Sequence, residues 1–409
     1  MDATVEHPVH YDPLDEDFLT DPYDTYRALR DHDPVHLHQD PPFYAVSRFE
    51  DVWRVVRDPR VFSSAQGLTF YPDEIEALGL APTIVMLDPP RQTALRRLAS
   101  HGFTPRRVAA MEDDLRRFVR ERIALMERLA ADGAPVDLHQ DFSAPIPTYA
   151  LANLLGVPPA DRARFDPWVK ALTTLQDSGF DAGSLLGAPD AVAEMFGYFS
   201  DVIATRRAEP GDDLVSALVA AEVDGERLTD WDILGFCFVM VAGGNDTTAN
   251  LISHGVMLLD ADRAQRERLR EDLSLVPNAV MEFLRLEGSV QGLARTTTAP
   301  TVVHGVQIPE GSKVLLMYAS ANRDEREFGP TADRLDITRD MPRHLGFASG
   351  PHFCIGNHLA KLQARVAFEE LLARQPRIGV DVSAGERIRA PFTRGWVSLP
   401  ATGLTPWAS

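Results

Sequence analysis

The stretch "HLGFASGPHFCIG", residues 344–356, carries one of only two cysteines in a chain of 409 residues. Gly350, Pro351 and Gly356 surround Cys354 with residues that favour a tight backbone turn. The following "NHLAKLQARVAFEELLA" has the three-and-four spacing of apolar residues that predicts a helix. Cys354 is therefore expected just ahead of a helix N-terminus, where unpaired amides and the helix dipole favour a thiolate. Two uses of such a thiolate stand open, metal ligation and nucleophilic attack. A nucleophile needs a base, and His352, two residues away, is poorly placed for that role if the loop is extended. Cys237, inside "GFCFVM", reads as a small buried hydrophobe.

Sixty acidic residues against forty-one basic ones give a net charge of −19, which disfavours a protein that coats nucleic acid. Two cysteines make no disulfide framework, and no C-x-x-C pair offers a zinc or redox site. The N-terminal "MDATVEHPVHYDPLDEDFLTDPY" lacks a basic region followed by an apolar one, so neither a secretory signal nor an anchor is expected and the location predicted is cytoplasmic. The most apolar segment, "ILGFCFVMVAGG", is too short to span a bilayer and predicts a buried core helix.

No repeat or long linker divides the chain, which predicts one domain over residues 1–409. Helical periodicity dominates from about residue 89 to 290. Strand signals are local, in "FYAVSRF" near residue 43 and "VVHGVQIPEGSKVLLMY" from residue 302. The fold expected is mainly α with small β-sheets. One helix is predicted to open at Thr229 and Asp232, spaced as a capping box, and to run to about Asp260, roughly 45 Å at 1.5 Å per residue. Within it Gly243, Gly244, Asn245, Asp246, Thr247 and Thr248 form a locally weak stretch, because glycines and hydroxyls both disfavour helix. An acid and two alcohols in an otherwise apolar helix predict a water-holding kink beside a cavity.

Phe347, Gly350, His352, Cys354 and Gly356 together resemble the haem-binding signature F-x-x-G-x-H-x-C-x-G of the cytochrome P-450 family, the haem-thiolate monooxygenases. Other motifs of that family occur in the same order. "EFLR" resembles its E-x-x-R helix through Glu282 and Arg285, and Arg334 in "TADRLD" matches the third partner of that ion pair. "GGNDTT", residues 243–248, resembles the oxygen-binding helix motif, and "LDPPRQTALRR" the helix that holds a haem propionate.

The resemblance implies a single-domain haem-thiolate fold with haem b between the long distal helix and the cysteine-loop helix, and Cys354 as axial iron ligand. It places Gln92, Arg96, Arg295 and His352 at the propionates, with Gln92 where many members have histidine. Gly243 leaves room for O2, and Asp246 and Thr247 relay protons from water. Glu282, Arg285 and Arg334 become a structural ion-pair network. Residues 62–87 and about 168–200 become substrate-facing lids, with Leu293, Ala294 and Phe392 as further pocket walls. Two departures stand out: Ala348-Ser349 replaces a glycine often found after the motif phenylalanine, and "EGSV", residues 287–290, replaces a proline-rich version.

The implied reaction inserts one oxygen atom from O2 into a small hydrophobic substrate, a natural product, terpenoid, steroid or aromatic compound. No flavin or nicotinamide fingerprint is present, since "GAPDAVAEMFG" lacks the G-x-G-x-x-G spacing. Electrons are then expected from a separate ferredoxin and ferredoxin reductase, with the chain acting as a soluble monomer that engages neither nucleic acid nor membrane. Arg91, Arg96, Arg97, Arg106 and Arg107 in "RQTALRRLASHGFTPRR" suggest a basic face for that acidic partner. The alternatives are a non-oxygenating haem-thiolate protein, which would not need Asp246 and Thr247, and a peroxide-driven enzyme, which would be expected to lose them.

Overall fold

A computed structural model describes residues 9–71, 74, 82–100, 103–165, 167–169, 171, 188–223 and 225–405. Seven helices position the region of interest: α1 (Arg91–Ser100), α2 (Glu112–Ala131), α3 (Pro145–Leu154), α4 (Asp230–Gly244), α5 (Asp246–Ala261), α6 (Val276–Leu286) and α7 (Asn357–Arg374). The amphipathic α2 carries Glu112, Asp113 and Asp114 in its first turn and Arg128 in its last, the arrangement its dipole favours. It turns Leu115, Val119, Ile123 and Met126 to the core. On its solvent side Arg116 joins Glu112 of its own helix to Glu369 and Glu370 of α7, each at 2.7 Å.

Helix α5 runs through the middle of the largest apolar cluster, and every residue from Thr248 to Val256 is buried. A helix buried all round has no polar stripe to show in its sequence. Gly255 lets it pack closely, since a Cβ there would lie 2.3 Å from the Phe368 ring of α7.

Beside the helices lies a five-stranded sheet of β1 (Val35–Gln39), β2 (Pro42–Val46), β3 (Phe62–Ser63), β4 (Leu293–Thr297) and β5 (Lys313–Leu316), in the order β1-β2-β5-β4-β3. Strands β2 and β5 run parallel, with Tyr44 opposite Val314, and the other pairs are antiparallel. Thr301–Val303 and Val306–Ile308 form a separate hairpin. His304 and Gly305 turn it with φ of 48° and 81°, the double positive-φ turn that suits two-residue hairpin loops. Both strand regions expected from the sequence are therefore present, and the architecture is mainly helical.

The capping box forms as expected: the Thr229 hydroxyl accepts from the Asp232 amide at 3.1 Å, and the Asp232 carboxylate accepts from the Thr229 amide at 2.9 Å. The helix that follows is not continuous to Asp260. It stops at Gly244 and restarts at Asp246, with Asn245 between them at ψ −70°. The weak stretch thus produces two helices rather than one bent rod. Among the described residues no helix is long and apolar enough to cross a membrane.

Candidate active site

Cys354 sits between a short turn at Gly350–His352 and the start of α7. Its amide donates to the Phe347 carbonyl at 3.0 Å, and the Asn357 side chain donates to its carbonyl at 2.9 Å. Gly350, at φ 69°, lies against the Val56 carbonyl and the Arg57 backbone, 3.0 and 3.1 Å from where a Cβ would be. Ala348 adopts φ 55° in place of the glycine of the resembling signature, so the loop keeps a left-handed residue there at a steric cost of about 1–2 kcal/mol. Burial pushes the Cys354 thiol pKa up, while the Gly356 amide and the charges of Arg96 and Lys361 pull it down. The expected pull toward thiolate is real but burial outweighs it, and coordination to a metal would deprotonate the sulfur outright.

Four groups predicted around this loop are placed as follows. Gln92 is buried on α1 and donates to the Pro351 carbonyl at 2.7 Å, and Arg96, one turn on, donates to the same oxygen at 3.3 Å. These bonds lace α1 to the cysteine loop. Arg295 is buried on β4, where its guanidinium donates to the Ala294 carbonyl at 2.7 Å. His352 shares a 3.2 Å hydrogen bond with the Ser64 hydroxyl. Burial first, then the charges of Arg295 and Arg96, lower its pKa to about 4. The protein groups around it thus favour the neutral imidazole, which can still hydrogen-bond.

Side chains stitch the helix break. The Asn245 amide donates to the Val241 carbonyl at 2.9 Å and accepts from Thr148 of α3 at 3.1 Å. The Thr247 hydroxyl donates to the Gly243 carbonyl at 2.8 Å. Gly243 is exposed, with nothing within 4 Å of where its Cβ would be. Asp246 and Asn245 line a cavity of about 940 Å³ shared with Thr148, Arg122, Arg162 and His139. A polar stretch beside a cavity is thus present, as a break between two helices where a kink within one was expected.

Glu282 and Arg285 form the expected i, i+3 pair, with no exposed surface, through two bonds of 2.7 and 2.8 Å. The third partner is not Arg334. That side chain is exposed, and only its carbonyl reaches the cluster. Arg339 takes the place, donating to Glu282 at 3.1 Å and to the carbonyls of Phe328, Thr331 and Arg334. A motif match counts along the chain, whereas the turn at 329–339 brings the later arginine inward. The signal was "DITRD", an arginine in a segment alternating buried Leu335 and Ile337 with more exposed neighbours.

The pocket-wall residues fare unevenly. Leu293 is half-buried. Ala294 is fully buried with its amide bonded to the Leu68 carbonyl, and Phe392 packs against Phe70 at 4.7 Å in an aromatic cluster. These two are core residues, a correction to their assignment as walls. Much of the two predicted lids, residues 72–73, 75–81, 170 and 172–187, lies outside the described residues. The basic face is also smaller than its arginine count. Arg91 pairs with Asp232 and Arg107 with Asp212, both at 3.1 Å, and Arg96 turns inward to Pro351. Arg97 and Arg106 stay exposed, and on α7 His358 and Lys361 line a shallow groove with Pro105 and Val108.

Among the described residues no group of three or more histidines, cysteines or acids could hold a metal ion by itself. The donor set fits haem. A thiol suits iron, guanidinium groups suit propionates, and Gly243 leaves open space beside the break. Fold and site together define a haem-thiolate oxygenase.

Comparison with known proteins bears this out. Residues 41–375 match the family model described as Cytochrome P450. "Cytochrome P450 130" of Mycobacterium tuberculosis is 45% identical over 387 residues, covering 91% of this chain and 94% of that one. "Vitamin D(3) 25-hydroxylase" of Pseudonocardia autotrophica is 36% identical over 410 residues and covers 98% of each. The solved structure of CYP109Q5 from Chondromyces apiculatus superimposes with a TM-score of 0.86 at 34% identity, covering 98% of this chain and 100% of that one. The chain belongs to the cytochrome P450 family and is a haem-dependent monooxygenase.

Proposed function

We propose that Cys354 would hold the haem iron, that Arg96 and Arg295 would pair with the propionates, and that Gln92 and His352 would add hydrogen bonds there. Bound haem with a thiolate ligand supplies the cleavage of the O–O bond of dioxygen. The chain's own part is to hold the cofactor, exclude bulk water and deliver protons. Asp246 faces the 940 Å³ cavity and takes protons from water there, and Thr247 hands them on through its hydroxyl. Its 2.8 Å bond to the Gly243 carbonyl orients that hydroxyl beside the exposed glycine. Glu282, Arg285 and Arg339 hold the fold beneath the cysteine loop.

The substrate is a small apolar molecule, hydroxylated or epoxidised. A relative named for hydroxylating vitamin D3 supports a terpenoid or steroid-like class. Leu293 remains a wall residue of that pocket. Electrons come from a ferredoxin and its reductase, with Arg97, Arg106 and Lys361 as the docking charges, and the enzyme works as a cytoplasmic monomer.

The observation that carries the oxygenase reading is the helix break itself, where an acid on a cavity adjoins an alcohol beside an exposed glycine. The test is a carbon monoxide difference spectrum of the reduced protein, followed by turnover with ferredoxin and reductase. A carbon monoxide band characteristic of thiolate-bound haem that is lost in Cys354→Ser, with oxygenated product from the parent, is expected. Retention of that band in Cys354→Ser, or turnover with peroxide alone that outpaces the reductase system, defeats the reading.

A further inference from the structure

We infer that Ser289 is a positioning residue for the proton-delivering turn of α5, an inference that rests on the roles proposed for Asp246 and Thr247. Ser289 lies just past α6, 4% exposed, and its hydroxyl donates to the Thr247 carbonyl at 3.0 Å. The residue belongs to "EGSV", residues 287–290, the segment that follows α6.

The main chain around Ser289 is held on both sides. The Arg394 amide donates to the Ser289 carbonyl at 2.7 Å, and the Gln291 amide donates to the Phe392 carbonyl at 2.8 Å. Two residues back, the buried Glu287 accepts from Arg323 at 2.9 Å. Ser289 is therefore an anchored donor and not a rotor on a loose loop.

The bond matters because of where it lands. The first amides of a helix have no partner within that helix, so the start of α5 is also held by contacts from outside it. Two of these are side-chain hydrogen bonds. Thr148 grips Asn245 from α3 on one flank, and Ser289 grips Thr247 from the α6–β4 connection on the other. Removing the Ser289 hydroxyl frees the 247–248 peptide to rock, and the Thr247 hydroxyl moves with it. A displacement of tenths of an ångström at a proton donor is enough to lower the fraction of productive transfers.

The experiment compares the parent holoenzyme with Ser289→Ala and Ser289→Thr. Two quantities are read: hydrogen–deuterium exchange of peptides covering residues 245–251, and peroxide released per reductant consumed with a ferredoxin system. In Ser289→Ala, exchange over 245–251 should rise about fivefold, the worth of one hydrogen bond, with haem content and the carbon monoxide band unchanged. Its peroxide fraction should rise severalfold, and Ser289→Thr, which keeps the hydroxyl, should restore both. Parental exchange in Ser289→Ala overturns the inference, as does faster exchange with no added peroxide. Ser289→Thr behaving as Ser289→Ala at the parental melting temperature does the same. A parent that consumes no oxygen with reductant defeats the functional reading instead, and the exchange comparison still decides whether Ser289 holds the turn.

Discussion

The third arginine of the buried network offers the sharpest test of how the chain is read. Arg339→Met keeps side-chain length but removes a guanidinium that donates to Glu282 at 3.1 Å, to the Thr331 carbonyl at 2.7 Å and to the carbonyls of Phe328 and Arg334 at 3.0 and 3.1 Å. Glu282 has no exposed surface, so no water can replace the lost donor. Breaking a buried pair costs about 3–5 kcal/mol. Arg285 still grips Glu282 with two bonds, which places the loss near the lower end, about 3 kcal/mol, a large share of an ordinary stability of about 5–15 kcal/mol. Arg334→Met removes an exposed side chain and should change stability by less than about 0.5 kcal/mol. Urea titrations of the holoenzymes, followed by tryptophan fluorescence and Soret absorbance, measure both. Equal losses in the two variants, or a larger loss in Arg334→Met, refute the assignment of Arg339 to the network.

Thr247→Ala should keep haem and substrate binding but divert reducing equivalents to peroxide, read as peroxide formed per reductant; fully coupled turnover would remove Thr247 from the relay. Burial lowers the pKa of both His139 and His254 to about 4. Both folded values lie below the unfolded value near 6.5, so the unfolded chain takes up protons first. This contribution to stability is complete above about pH 6.5 and is lost as pH falls toward 4, about 2 kcal/mol per histidine at pH 5. Urea midpoints between pH 7.5 and 5 should show the fall, and His254→Gln should flatten it. Ala348→Gly relieves a left-handed alanine worth about 1–2 kcal/mol against about 0.5–1 kcal/mol of added chain entropy, so its melting temperature should hold or rise, where the same change in a helix would lower it. Arg97→Glu should slow ferredoxin-driven reduction at low salt and lose that effect at high salt, as rapid-mixing reduction rates can show.

Local features of the site were legible because they depend on residues close in sequence. Gly350, Pro351 and Gly356 mark the turn, the periodicity from Asn357 marks α7, and Thr229 with Asp232 marks the start of α4. The weakness of residues 243–248 was equally visible, since helix propensity is a local property. Its outcome was not. Whether such a stretch bends or breaks depends on Thr148 and Ser289, which lie about 100 residues before and 40 residues after it and supply the hydrogen bonds that make two separate helices tolerable. The same limit explains Ala294 and Phe392. Their apolar character suits a pocket wall and a core equally, and only Leu68 and Phe70 packed against them decide between the two.

From its amino acids alone, this chain declares a mostly helical fold, a cysteine poised at a helix start, and an acid and alcohol in a weakened helix, because caps, turns and periodicity act over a few residues. The tertiary structure alone decides that Arg339 and not Arg334 completes the buried network, and that Arg91 and Arg107 of the basic face pair with Asp232 and Asp212. It also decides that His352 meets Ser64 and that Ser289 reaches Thr247. Each of those is a matter of distance and burial between segments far apart in sequence, which hydrogen bonding and desolvation settle only once the chain has folded.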